Sequence, residues 1–197
     1  AYSPSTSQKG ITAGLSVIPE VKNKEEFNDW LTTIKGKFIL SSMYPITGRP
    51  DYNWEKHATP ESYEKMKEDK SEVSRKWYAN FRKMGVNRRN IIKTLEEAGA
   101  AGILSSNWAG GFGANRIFSA GTKKIPNIDL RLEDYSMLYR MIKSGVSPEI
   151  RVVSTSKDLG IVTTFNTLAE IKGVEKPEEY VILSAHFDSW DGATGAT

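Results

Sequence analysis

Apolar positions along this chain follow two periods, which divide it into alternating helices and strands. The clearest helical stripe is Tyr63, Met66, Val73, Trp77, Phe81 and Met84, at spacings of three, four and seven, one face of a 3.6-residue helix. Thr59-Pro60-Glu61 supplies an N-cap, a proline at the first helical position and an acid in the first turn, and Gly85 supplies a stop. Lys24 to Ile34 reads as a helix ending near Gly36, Asn90 to Ala98 as a second amphipathic helix closed by Gly99, and Glu133 to Ser144 as a helix ending at Gly145. Between these lie short apolar or β-branched runs that read as strands: 37–40, 101–104, 125–130 and 149–154. Ile161 to Ile171 and Tyr180 to Ala185 read as two more, the second a buried strand. Residues 43–60, with three prolines, and 108–114, rich in glycine, read as loops. No repeat appears at periods of 20–50 residues. The pattern as a whole predicts a mixed α/β fold.

Composition narrows the function classes. The chain has 197 residues, 39% of them hydrophobic, with five Trp, eight Tyr and seven Phe, enough for one domain and part of another. No apolar run approaches the roughly 18 residues of a membrane span. With no cysteine there is neither a disulfide nor a thiolate metal site. No signal peptide is visible, and the Ser/Thr/Pro-containing start, Ala1 to Thr12, is compatible with a mature end left by cleavage. No Asn-x-Ser/Thr sequon occurs.

A net charge of +3 does not call for an acidic partner, but ten Lys or Arg against three acids lie between Lys65 and Lys93. Interleaved with Trp77, Tyr78 and Phe81, they could be a nucleic-acid surface. The helical stripe accounts for the aromatics as a buried face and for the charges as a solvated one, so no nucleic-acid partner is expected. The glycine-rich loop at 109–113 lacks the spacing of a phosphate cradle. His57, in the proline-bounded loop, has no acidic or histidine neighbour at ligand spacing and reads as solvated.

The candidate chemistry lies at His186-Phe187-Asp188, after the strand-like run Tyr180 to Ala185 and before a glycine-rich stretch. In open α/β sheets, sites form beyond the carboxyl ends of strands. In extended backbone His186 and Asp188 point to the same side. An imidazole beside a carboxylate suits a metal: a neutral nitrogen binds the ion and an acceptor fixes the tautomer. The same residues could also be a histidine and an aspartate in a polar loop.

Ser184-Ala185-His186-Phe187-Asp188-Ser189-Trp190-Asp191-Gly192 resembles the first metal motif of the co-catalytic zinc exopeptidases, in the branch of plasma glutamate carboxypeptidase. Residues 164–173 and 176–181 resemble the strand and turn before that motif. The resemblance implies that His186 is a zinc ligand and that Asp188 orients it. It also implies two zinc ions in the full-length enzyme, with a bridging carboxylate, a Glu-Glu pair, another acidic ligand and a late histidine following the motif. The sequence stops at Thr197, before any of these, so it is expected to be an amino-terminal fragment that neither binds zinc nor cleaves peptides alone. Gly36 to Leu40, Ala98 to Ile103 and Ile125-Pro126 resemble the protease-associated domain, a β-rich accessory module with helices.

The implied organisation is residues 1–35 as a segment of the peptidase body, 36–155 as the protease-associated domain, and 156–197 as the first strands of the zinc-peptidase α/β sheet. Expected partners are a peptide substrate and, through unpaired strands in 160–185, a second copy of the chain as a homodimer; expected localisation is secreted or periplasmic. Two alternatives stand beside this: a non-catalytic binding module built on a degenerate peptidase fold, and another metallohydrolase, such as a phosphoesterase, sharing only the His-x-Asp pair.

Overall fold

The computed structural model describes residues 3–116, 120–157 and 159–186. The chain forms two compact units, 1–158 and 159–197. The first is built on a five-stranded sheet. Its strands are β1 (Ile11–Val17), β2 (Phe38–Leu40), β3 (Gly102–Ser105), β4 (Asn127–Asp129) and β5 (Glu149–Val152), in the order β4-β3-β2-β1-β5. The first four run parallel, and β5 pairs antiparallel with β1, Ile11 opposite Val152.

The helices are α1 (Lys24–Thr32), α2 (Asp51–His57), α3 (Pro60–Met84), α4 (Ile91–Glu97) and α5 (Leu132–Lys143). They pack on both faces of the sheet because its strands alternate. Ile39 and Ile103 face one layer, with Phe27 of α1, Phe81 and Met84 of α3 and Leu95 of α4. Phe38, Leu40 and Leu104 face the other, with Tyr135 of α5. Close approach within the second layer requires glycine at 102, where a Cβ would lie 2.5 Å from the Phe38 ring.

The ends of α3 fall where its sequence places them. Thr59 accepts from the Ser62 amide, Pro60 opens the helix, and Gly85 closes it in the left-handed region at φ 67°. One residue of its inner face is polar. Asn80 is 4% exposed, and its Oδ1 accepts from the Val21 amide at 3.0 Å while its Nδ2 donates to the Pro19 carbonyl at 2.8 Å. The amide thus fastens α3 to the turn between β1 and α1. Glu96, at the end of α4, is held comparably: its carboxylate accepts from the amides of Lys123, Lys124 and Ile125.

At the amino ends of the parallel strands, the first residues of the chain cross to the segment after β5. Thr6 donates its amide to the Ser154 carbonyl at 3.0 Å, Ser154 returns a bond to Thr6 Oγ1, and the Ser156 amide donates to Ser5 Oγ at 2.8 Å.

Several expectations are corrected. The proline-containing stretch contains α2, which starts after Pro50 with Asp51 in its first turn and Lys56 and His57 in its last; charges so placed oppose the helix dipole. Residues 11–17 form β1, where no strand was expected, and β1 and α1 share the sheet and core of residues 38–152. Nor is the unit β-rich: α3 alone, at 25 residues, is longer than the five strands together.

In the second unit, residues 159–186 carry neither helix nor strand. Tyr180, Val181, Ile182 and Leu183, read as a buried strand, are 73%, 96%, 82% and 96% exposed. Strand-forming composition produces a strand only where a ladder and a covering layer accept it, and among the described residues this run has neither. A local turn does form, with the Glu179 amide bonded to the Lys176 carbonyl at 3.1 Å and the two side chains paired at 2.9 Å.

Candidate functional site

Of the two residues singled out for metal chemistry, His186 lies exposed in the second unit, and Asp188 lies outside the described residues. Among the described residues no three His, Cys, Asp or Glu side chains come close enough together to hold a metal ion. His57 sits exposed in the last turn of α2. The charges between Lys65 and Lys93 are a solvated face: Lys65 pairs with Asp69 and Lys76 with Glu72 along α3, while Trp77 packs edge-on against buried Phe81 at 5.3 Å.

The first unit carries a second site, which arises from a short internal echo. Ile39-Leu40-Ser41-Ser42 ends β2 and Ile103-Leu104-Ser105-Ser106 ends β3, and the two strands are parallel neighbours with Ile39 opposite Ile103 and Leu40 opposite Leu104. Identical tetrapeptides in register set four serines side by side at the carboxyl ends of the strands. They interlock: the Ser41 amide donates to the Leu104 carbonyl at 2.9 Å, and the Ser106 amide to Ser42 Oγ at 2.8 Å.

Tyr135 braces this edge from the opposite layer. Its hydroxyl donates to the Ser42 carbonyl at 2.6 Å and accepts from the Ser42 amide at 2.9 Å. Burial pushes its phenol well above the ordinary tyrosine range, against the opposing pull of the bond to Ser42. Beyond β3 the chain is pinned at Asp129, the last residue of β4, whose carboxylate accepts from the Asn107 amide at 3.2 Å and from the side chains of Asn107 and Asn115. The loop between them folds back through Trp108, whose indole donates to the Gly111 carbonyl at 2.6 Å.

The serines open onto a cleft of about 510 Å³. Its walls are Trp77 and Tyr78 of α3, Arg88, Ile91 of α4 and the turn at Asn107 and Trp108. Arg88 is its one charged side chain, and no carboxylate lines it among the described residues. The guanidinium lies over the Tyr78 ring at 5.2 Å and donates to the Tyr78 hydroxyl at 3.1 Å. Ser106 Oγ is buried without a hydrogen-bond partner among the described residues. Sequence reasoning passed over this site, although the repeated Ile-Leu-Ser-Ser at two strand ends was a signal available to it.

Comparison with known proteins defines a class first: the chain has partial homologues among carboxypeptidases, in keeping with the resemblance to the co-catalytic zinc exopeptidases. The relatives are carboxypeptidases Q. Human carboxypeptidase Q is 38% identical over 79 residues, 40% of this chain and 17% of the relative. The rat protein is 39% identical over the same length and shares, and that of Xenopus laevis 40% identical over 73 residues, 37% of this chain and 16% of the relative. The matched region thus spans about a sixth of the relatives' length. No protein-family profile matches the chain. No solved structure matches it either.

Proposed function

We propose that this chain is the amino-terminal part of a zinc-dependent exopeptidase that hydrolyses peptides or dipeptides with two zinc ions in the complete protein. The observation that carries the reading is 38% identity over 79 residues to a carboxypeptidase, beside the motif Ser184 to Gly192. His186 would bind one ion, and Asp188 would accept a hydrogen bond from the other ring nitrogen and hold the imidazole in its ligating tautomer. Residues 36–155 would be the protease-associated module and 156–197 the start of the catalytic domain, in a secreted or periplasmic protein.

Among the described residues no three His, Cys, Asp or Glu side chains are grouped to hold a metal ion. A catalytic zinc needs about three protein ligands and an open position, and the others would come from elsewhere in the complete protein. The test is metal content and dipeptide hydrolysis of the complete protein. His186→Ala is expected to lose most of its zinc and activity. Asp188→Asn is expected to lose about 10–100-fold in metal affinity or rate, the usual effect of removing a ligand-orienting partner. Unchanged zinc stoichiometry and rate in His186→Ala would overturn the assignment.

A further inference from the structure

We propose that the cleft at the carboxyl ends of β2 and β3 binds a small organic carboxylate with an apolar body of about amino-acid size. The inference rests on the first unit alone and does not depend on the peptidase reading.

Four observations converge on this ligand. The volume, about 510 Å³, lies within the roughly 300–1,000 Å³ of small-molecule sites. The position is beyond the carboxyl ends of adjacent parallel strands, the end of the strands at which open α/β sheets bind their ligands. The charge is one-signed: Arg88 is the only ionised side chain in the lining and takes part in no ion pair among the described residues. Its planar fork matches a carboxylate, and one contact to the Tyr78 phenol orients the fork while using one of five donors. Finally, Ser106 Oγ is buried and unpartnered. A buried polar atom left unpaired is uncommon and costly; Ser106 lines the cleft, and a change of its χ1 rotamer would let a ligand oxygen or amide pair the hydroxyl.

The rest of the lining sets the ligand's body. Trp77, Ile91, Ile92 and Leu132 present apolar surface that a bare inorganic anion would leave uncovered. One guanidinium with no second cation suits a monocarboxylate better than a multiply charged phosphate. An acylated amino acid satisfies each element, with a carboxylate for Arg88, a polar group for Ser106 and an aliphatic side chain for the apolar wall.

The probe is N-acetyl-L-leucine, with N-acetyl-L-leucinamide and inorganic phosphate as comparison arms. Each is titrated into the 197-residue chain and followed by tryptophan fluorescence and amide NMR shifts. The carboxylate is expected to bind saturably and at least about tenfold tighter than the amide, the usual weight of a charge-assisted hydrogen bond. Shifts should fall in residues 105–108. Arg88→Gln should bring acid and amide to within about twofold of each other, and Ser106→Ala should weaken both with an unchanged circular dichroism spectrum. Equal affinity for acid and amide, no saturation by about 10 mM, or a preference that survives Arg88→Gln would each overturn the proposal. Phosphate binding as tightly as the acid would overturn the apolar body. Arg88 is exposed, so Arg88→Gln decides the matter even if the Ser106 variant fails to fold.

Discussion

Replacing Asn80 tests how the first unit is fastened together. The side chain is 4% exposed and joins α3 to two backbone groups of the turn between β1 and α1. Asn80→Ala leaves the Val21 amide and the Pro19 carbonyl without that partner. Each buried polar group so abandoned costs about 1–3 kcal/mol, so the loss should be about 2–6 kcal/mol, a large share of the roughly 5–15 kcal/mol that holds a domain folded. Urea denaturation followed by far-ultraviolet circular dichroism reads it directly, as a lower midpoint at unchanged slope.

Asn80→Asp refines the test. The variant keeps an acceptor for the Val21 amide but turns an oxygen toward the Pro19 carbonyl, so the folded state favours the protonated acid. A folded state that holds a proton more tightly than the unfolded chain gains stability as pH falls. Asn80→Asp should therefore approach wild type between pH 7 and 4, whereas the deficit of Asn80→Ala should stay constant. A loss below about 0.5 kcal/mol in Asn80→Ala, within the range of ordinary surface changes, would refute the reasoning.

Tyr135→Phe should cost about 1–3 kcal/mol by removing both bonds to Ser42. Because burial raises the Tyr135 phenol, its contribution is present below the ordinary tyrosine value near pH 10 and is lost as pH rises above it. The gap between wild type and Tyr135→Phe, measured by denaturation at pH 8 and 11, should therefore narrow; a constant gap refutes the linkage. Burial alone would raise the Glu96 carboxyl, yet the amides of Lys124, Lys123 and Ile125 outweigh it and hold its pKa below the usual carboxylate range. Glu96→Gln should thus cost about 1–2 kcal/mol near neutrality, and the difference should fade as pH falls through and below 4; a difference independent of pH would count against the cradle. Limited proteolysis should cut first within residues 159–186 and leave a resistant product of about residues 1–158, read by mass spectrometry; early cleavage inside β1 or α1 would contradict the single sheet.

What could be read from the chain was whatever local signals specified by themselves. α3 was legible because cap, proline, apolar stripe and terminal glycine all agree over 25 residues. Asn80 was not, since a polar residue on an apolar face looks like a break in the pattern until its two backbone partners arrive from 60 residues away. Pro50 concealed α2, because a proline outside a helix and one opening it look alike in sequence. β1 escaped notice because Thr12, Gly14 and Ser16 dilute it; its identity as a strand comes from β2 and β5 on either side. Tyr180 to Ala185 fails in the reverse sense, with strand chemistry and no ladder among the described residues. Of the two candidate sites, the His186 motif was legible as a pattern of residues. Of the cleft only the repeated Ile-Leu-Ser-Ser was visible, since parallel pairing is what brings its two serine pairs, 64 positions apart, together.

The strap between residues 5–6 and 154–156 has a consequence for the order in which the molecule assembles. Closing a loop of about 150 residues is entropically dearer than closing one of about 25, by roughly 1.6 kcal/mol from the logarithm of length, and the antiparallel pairing of β1 with β5 spans nearly the same loop. The parallel strands β1 and β2 can pair as soon as α1 has formed between them. β5 and the strap must wait for everything else, and they lie at one edge of the sheet. They should therefore be the last part to zip and the first to exchange their amide hydrogens, detaching like a clasp while the four parallel strands stay closed.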